Sequence, residues 1–261
     1  MGGARFLGRF PVDHTWVTTY DARTSTFGDA GDVEAAGENF WYCYGYFRPI
    51  GGTPANPTGY LGSDAGNRAF AECLVEPNRD SWSHDPAKGT ILAYGVDGVC
   101  HQVANQVLYA SNGCITVCQA RGYMLTEFRY GTYGRHPSWG AKVTSCSTGN
   151  KFASPPPFDA FESRAREILS APEDRDALAK LLDIRRQFLA SMDAMRSDLI
   201  ARQPSSEVLN SINQHFFNAA ADILGPIRYH TLFGVEARAK VDLVDPEVLA
   251  RSGRHRQERV R

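Results

Sequence analysis

Three consecutive prolines, Pro155-Pro156-Pro157, divide this 261-residue chain into stretches of different composition. A proline triplet is stiff and extended and cannot enter a helix interior, so it acts as a joint between separately formed elements. Ahead of it lie all six cysteines, all four tryptophans and ten of the eleven tyrosines, in short apolar runs separated by glycine and proline. Beyond it the sequence is rich in Ala, Leu, Arg and acidic residues. The change predicts an α+β domain over residues 1–153, a helical segment over 154–235 and a basic, flexible tail over 236–261. The last eleven residues carry five arginines against one glutamate.

In the first stretch, short runs of β-branched and aromatic residues read as strands at 14–20, 40–47, 90–94, 114–119, 123–130 and 141–146. Together they predict an antiparallel sheet. The Gly-, Asp- and Pro-rich segments 21–38 and 48–67 read as long loops, and 65–74 as a short helix. A helix is expected over 99–109, because Cys100, Val103, Ala104, Val107 and Leu108 form one apolar stripe. The turn Gly95-Val96-Asp97-Gly98 precedes it, with Asp97 or Gly98 leading into the N-cap.

The second stretch carries a clear helical period. Leu181, Ile184, Phe188, Met192, Met195 and Leu199 step by three and four, predicting a long amphipathic helix over 173–202 with Asp183, Arg185, Arg186, Asp193 and Arg196 flanking its seam. Pro204 ends it. A further helix starts near Ser205 and is stopped at Gly225-Pro226, and a shorter one covers 158–170. The 173–202 seam suits packing within the chain, or a homo-oligomer through this helix.

The chemistry expected of the chain rests on Cys100. A thiol becomes nucleophilic when a helix dipole and a nearby imidazole favour its thiolate. Cys100 is placed in the first turn of the 99–109 helix. Among the histidines, His101 points about 100° away around the helix, and His84 and His136 sit in loops. His14 begins a strand and is the base expected for Cys100. His101, Gln102 and Asn105 fall in the helix's first two turns and, with Trp16 on the His14 face of its strand, are candidates for binding substrate. The opposing reading of the helix's polar side is an ordinary solvated face.

The order of parts, a strand opening His14-Thr15-Trp16, a following strand and later a cysteine starting a helix, resembles circularly permuted papain-fold hydrolases of the NlpC/P60-like and lecithin:retinol acyltransferase-like group. The resemblance covers about Asp13 to Tyr109. It implies a papain-like, permuted sheet packed on the Cys100 helix, and an orienting residue on the second strand, where Asn39 is the nearest fit. It also implies amide, ester or thioester cleavage or transfer through an acyl-thioester on Cys100. The sequence departs from the group at the cysteine itself, which stands in Gly98-Val99-Cys100-His101-Gln102.

Two other functions compete: a metal-dependent enzyme using the His14/Cys100 region, and a non-catalytic binding protein with a helical docking or oligomerisation arm. Metal spacing is poor. Cys114 and Cys118 in a strand would hold their sulfurs about 13 Å apart, and there is no His-Glu-x-x-His. Nucleotide-binding glycine motifs and a Gly-x-Ser-x-Gly elbow are absent, so no cofactor is expected. A net charge of −1 provides no general attraction for nucleic acid. No apolar run is long enough to span a bilayer, and the arginine-interrupted N-terminus does not read as a signal peptide. The expectation is a cytoplasmic protein with mostly reduced cysteines acting on a small-molecule or peptide substrate.

Overall fold

The computed structural model describes residues 92–102, 105–106, 120–140, 159–246 and 249–250, with short pieces at 2–4, 12, 14–16, 20–21 and 26–27. Most of these residues are helical. The expected α+β architecture, an antiparallel sheet packed on the Cys100 helix in papain-like fashion, is not what they form. Strand pairing among them is confined to two short ladders. In one, β1 (Gly2–Ala4) runs antiparallel to β2 (His14–Trp16); in the other, β3 (Tyr20–Asp21) runs antiparallel to β4 (Thr26–Phe27). The strands expected at 40–47, 114–119 and 141–146, the loop at 48–67 and the helix at 65–74 lie outside the described residues, as does most of the loop at 21–38.

The sharpest correction falls on Tyr123–Tyr130, expected as a strand and found as helix α1. Its aromatic and β-branched residues suggested a strand, but all except Met124 are buried, so neither period is visible in the pattern. Glycines set its ends. Gly122 enters at φ 74° and Gly131 leaves at φ 72°, donating its N–H to the carbonyl of Glu127 at 2.7 Å. Both lie in the left-handed region that glycine occupies without a Cβ penalty. The strand expected at 90–94 is likewise absent from 92–94, where only Tyr94 makes an isolated bridge to Gly98.

Among the described residues, three helices of eight residues or more follow the proline joint. Helix α2 (Phe161–Ile168) begins where Asp159 accepts the N–H of Phe161 at 3.1 Å. Helix α3 (Arg175–Arg202) follows a 3₁₀ turn at Pro172–Asp174 and ends as Gln203 turns left-handed before Pro204. Helix α4 (Ser206–Phe233) is capped by the Ser205 hydroxyl and kinked where Gly225 adopts φ 70° ahead of Pro226. The Gly-Pro pair therefore bends this helix, which resumes and continues to Phe233.

These helices close around α1. Phe128 is the hub: its ring stacks on Phe216 at 4.4 Å and meets Phe161 at 4.9 Å and Phe233 at 5.3 Å. Leu178 and Leu181 of α3 and Leu209, Phe217 and Ala220 of α4 join the same core, as do Val12, Tyr94 and Val99. One core thus draws from both sides of the proline joint. Within the stretch expected as a tail from 236 onward, Val241, Leu243 and Val244 are buried in this core, and Asn210 ties down the backbone of Val244 on both sides.

The seam of α3 is also rotated from its expected line. Its buried residues are Leu178, Leu181, Arg185, Leu189 and Met192, while Met195 is half exposed. An arginine occupies the middle of the buried stripe for reasons given below.

Gly122 offers a direct test of the α1 entry. A Cβ there would lie 2.6 Å from Cγ2 of Val12 and would be held at positive φ. Gly122→Ala should lower the unfolding free energy by about 2 kcal/mol or more, read as a fall in the urea midpoint at unchanged slope. A change below about 0.5 kcal/mol would mean the turn is not built this way.

Candidate functional site

Cys100 opens a helical turn whose described residues are 100–102 and 105–106. The geometry makes Val99 the N-cap, following Asp97 and Gly98. The side chain of Gln102, three residues on, accepts the backbone N–H of Val99 at 3.2 Å, which is the reciprocal half of a capping box. Cys100 is therefore the first helical residue, where backbone N–H groups have no intrahelical acceptor and the dipole is positive. It is 6% exposed and in no disulfide.

Asp97 holds the turn ahead of Cys100. Its carboxylate accepts the Ala93 N–H at 2.8 Å and receives a bidentate clasp from Arg196 of α3, Nε at 2.6 Å and Nη2 at 2.7 Å. Its backbone carbonyl takes the N–H of Arg135 at 2.8 Å. Hydrogen bonding to the carboxylate raises the pKa of Arg196. The Asp97 charge is thereby matched, and its opposition to a thiolate at Cys100 is reduced.

The polar side of the Cys100 helix is not a solvated face. His101, Gln102, Asn105 and Gln106 are all buried. Gln102 Nε2 donates to the Gly131 carbonyl at 2.9 Å, Asn105 Nδ2 to the Thr132 carbonyl at 2.7 Å, and Gln106 Nε2 to the Tyr133 carbonyl at 2.7 Å. Three successive carbonyls leaving α1 are thus bound by three amides of one helix. Arg185 of α3 continues the series on α1 itself, its Nε donating to the Phe128 carbonyl at 2.7 Å and its Nη2 to that of Glu127 at 3.1 Å. This is why an arginine lies on the buried stripe of α3. A cation suits the negative end of a helix, Asp159 pairs with it at 2.6 Å, and its guanidinium lies 4.6 Å from the Phe161 ring centroid.

A second set of buried groups lies beneath. Glu127 is fully buried, accepting from Thr132 Oγ1 at 2.7 Å and pairing with Arg164 of α2 at 2.8 Å. Tyr123 OH donates to the same carboxylate at 3.4 Å and accepts from Asn105 at 3.1 Å. His101 Nδ1 meets Thr126 Oγ1 at 2.8 Å. The same hydroxyl lies 2.9 Å from the Tyr123 carbonyl.

Burial raises the pKa of Glu127, outweighing the pull of Arg164 and the Thr132 hydrogen bond. Burial raises Tyr123 as well, with the Glu127 charge adding to it. These groups went unnoticed in the sequence because Glu127 stands within an aromatic run read as a strand. A lone carboxylate there was the available signal.

Of the residues singled out from sequence, Cys100, His101, Gln102 and Asn105 are brought together on one helix. The last three turn their amide and imidazole groups to other parts of the protein. His14 and Trp16 are placed in backbone only, both in β2, and their side chains lie outside the described residues, as does Asn39 entirely. Among the described residues no group of three or more His, Cys, Asp or Glu is arranged to hold a metal ion, and no helix is long and apolar enough to cross a membrane. Comparison with family models, curated proteins and solved structures finds no match.

The raised pKa of Glu127 has a signed consequence. Unfolded, the carboxyl ionises in the ordinary range; folded, it holds its proton to higher pH, so the native state binds more protons across that interval. Its contribution to stability is therefore greatest at acidic pH and declines as pH rises above the ordinary carboxylate range. In urea unfolding from pH 4 to 8, Glu127→Gln should gain stability relative to the parent as pH rises. A variant that loses ground with rising pH would mean that the Arg164 pairing outweighs the burial.

Proposed function

We propose that the chain is a thiol-dependent hydrolase or acyltransferase acting on an amide, ester or thioester, with Cys100 as nucleophile and His14 as general base. The observation that carries this reading is the position of Cys100 as the first residue of a helix whose other side is anchored through Gln102, Asn105 and Gln106. A thiolate at that point faces the positive end of the peptide dipoles, which lowers a cysteine pKa. The clasp of Arg196 offsets the charge of Asp97, three residues ahead of Cys100 in the chain.

In this reaction His14 takes the Cys100 proton and the sulfur adds to the substrate carbonyl, whose oxygen is stabilised by backbone N–H donors including that of Cys100. The C–N, C–O or C–S bond then breaks and the leaving group takes the proton from His14. Water or a second acceptor attacks the thioester, returning a proton to His14 and the electron pair to sulfur.

Timed alkylation with iodoacetamide, read by peptide mass spectrometry across pH, tests the assignment. Cys100 should react faster than the other five cysteines with an apparent pKa below about 8, and His14→Ala should raise that pKa while Asn39→Ala changes it less. A native protein in which Cys100 stays unmodified while other cysteines react would remove it as the nucleophile.

A further inference from the structure

We infer that a second site, a cleft between the 131–140 loop and helix α3, binds a small anion carrying a carboxylate or phosphate group. The inference does not rest on the role proposed for Cys100. The cleft has a volume of about 430 Å³ and is lined in part by Tyr130, Arg135, Trp139, Asp159, Asp193 and Arg196. That volume is within the range of small-molecule sites, roughly 300–1,000 Å³.

Two guanidinium groups on its wall are fixed in the same manner. Arg135 gives Nε to Asp193 Oδ1 at 3.2 Å and Nη2 to Asp193 Oδ2, and Arg196 gives Nε and Nη2 to Asp97. Each arginine is held along one edge by a carboxylate, and neither Nη1 is engaged with an acceptor among the described residues. Asp193 and Arg196 are three residues apart on α3 and so occupy one helix face. Pre-oriented planar donors of this kind suit the oxygens of carboxylates and phosphates, with little side-chain freedom left to lose on binding.

The balance of charges on and behind the wall favours an anion as well. Arg129 is 1% exposed and forms no ion pair among the described residues. Its Nε donates to Asn213 at 2.9 Å, and its guanidinium lies over the rings of Tyr130 at 4.3 Å and Phe188 at 5.3 Å. Asp193 and Asp97 are matched by Arg135 and Arg196, and Asp159 by Arg185. Arg129 is therefore the unmatched charge of this region, one positive in excess. A buried, unmatched cation is costly, and an anion seated in the adjoining cleft offsets it through low-dielectric surroundings. Burial lowers the pKa of Arg129, consistent with that cost.

Titration of the full chain with inorganic phosphate and, separately, acetate at constant ionic strength tests the site, read by tryptophan fluorescence and thermal unfolding. A saturable fluorescence change that disappears in Trp139→Phe, with a rise in Tm, is expected for at least one anion. Arg135→Gln and Arg196→Lys should each weaken it at least tenfold. The lysine variant keeps a charge beside Asp97 while removing the fork, so loss of binding with an unchanged circular dichroism spectrum separates recognition from folding. Saturation by phosphate alone assigns the phosphate class, and by acetate alone the carboxylate class. No saturable response to either, or binding unchanged in both arginine variants, overturns the inference.

Discussion

Everything described of this protein is organised by five backbone carbonyls that leave the end of one helix inside the protein. Residues 127 and 128 close α1 and residues 131–133 continue from it, all in a region buried from water. A buried carbonyl without a donor costs about 1–3 kcal/mol; the Glu127 carbonyl also takes the Gly131 N–H, and the other four are met by side chains from elsewhere. Arg185 takes the first two and Gln102, Asn105 and Gln106 take the last three. The donors come from two elements far apart in sequence, one on each side of the proline joint. The same bonds that satisfy the backbone therefore hold the Cys100 helix and α3 against α1.

This arrangement explains why the Cys100 helix is so polar. Four amide or imidazole groups in its first two turns suggest either solvent or a ligand, and in the structure they meet the protein's own backbone and the Thr126 hydroxyl. Their hydrogen bonds fix the helix axis, and with it the first-turn position from which a thiolate at Cys100 is proposed to act. A nucleophile gains from such anchoring, because attack geometry tolerates errors of only a fraction of an ångström. Asp97 and Arg196 extend the anchoring to the preceding turn and link it to α3. Arg135 and Asp193 tie the 131–140 loop to that same helix, forming one wall of the cleft.

The helices beyond the proline joint were legible because each buries one side only, so their apolar residues recur at the helical period. α3 and α4 were expected within a few residues of their observed starts, and Gly225-Pro226 marked a real break in direction while the chain still resumed as helix. Legibility failed where burial is nearly complete. Tyr123–Tyr130 shows no alternation because almost every position faces protein, and its β-branched and aromatic residues then suggest a strand. Arg185 was misread for a related reason: a charge on a helix is usually solvated, and only the carbonyls of α1, far away in sequence, make it an interior residue. The antiparallel sheet was built on such runs and did not survive. At the candidate site, the sequence drew attention to Cys100, His101, Gln102 and Asn105 by spacing alone, while Glu127, Arg164 and Arg129 required the tertiary structure to bring their partners together.

The claim that the Cys100 helix caps α1 from inside the protein is most directly tested by hydrogen exchange of its side-chain carboxamides, followed by NMR with assigned Gln102, Asn105 and Gln106 resonances. If these NH₂ groups are bonded to the buried carbonyls of residues 131–133, their protons should exchange far more slowly than those of exposed amides in the same protein, and lose protection only as the fold opens. Exchange at the rate of exposed amides, with the protein otherwise native, would contradict the capping arrangement and leave the position of Cys100 without its support.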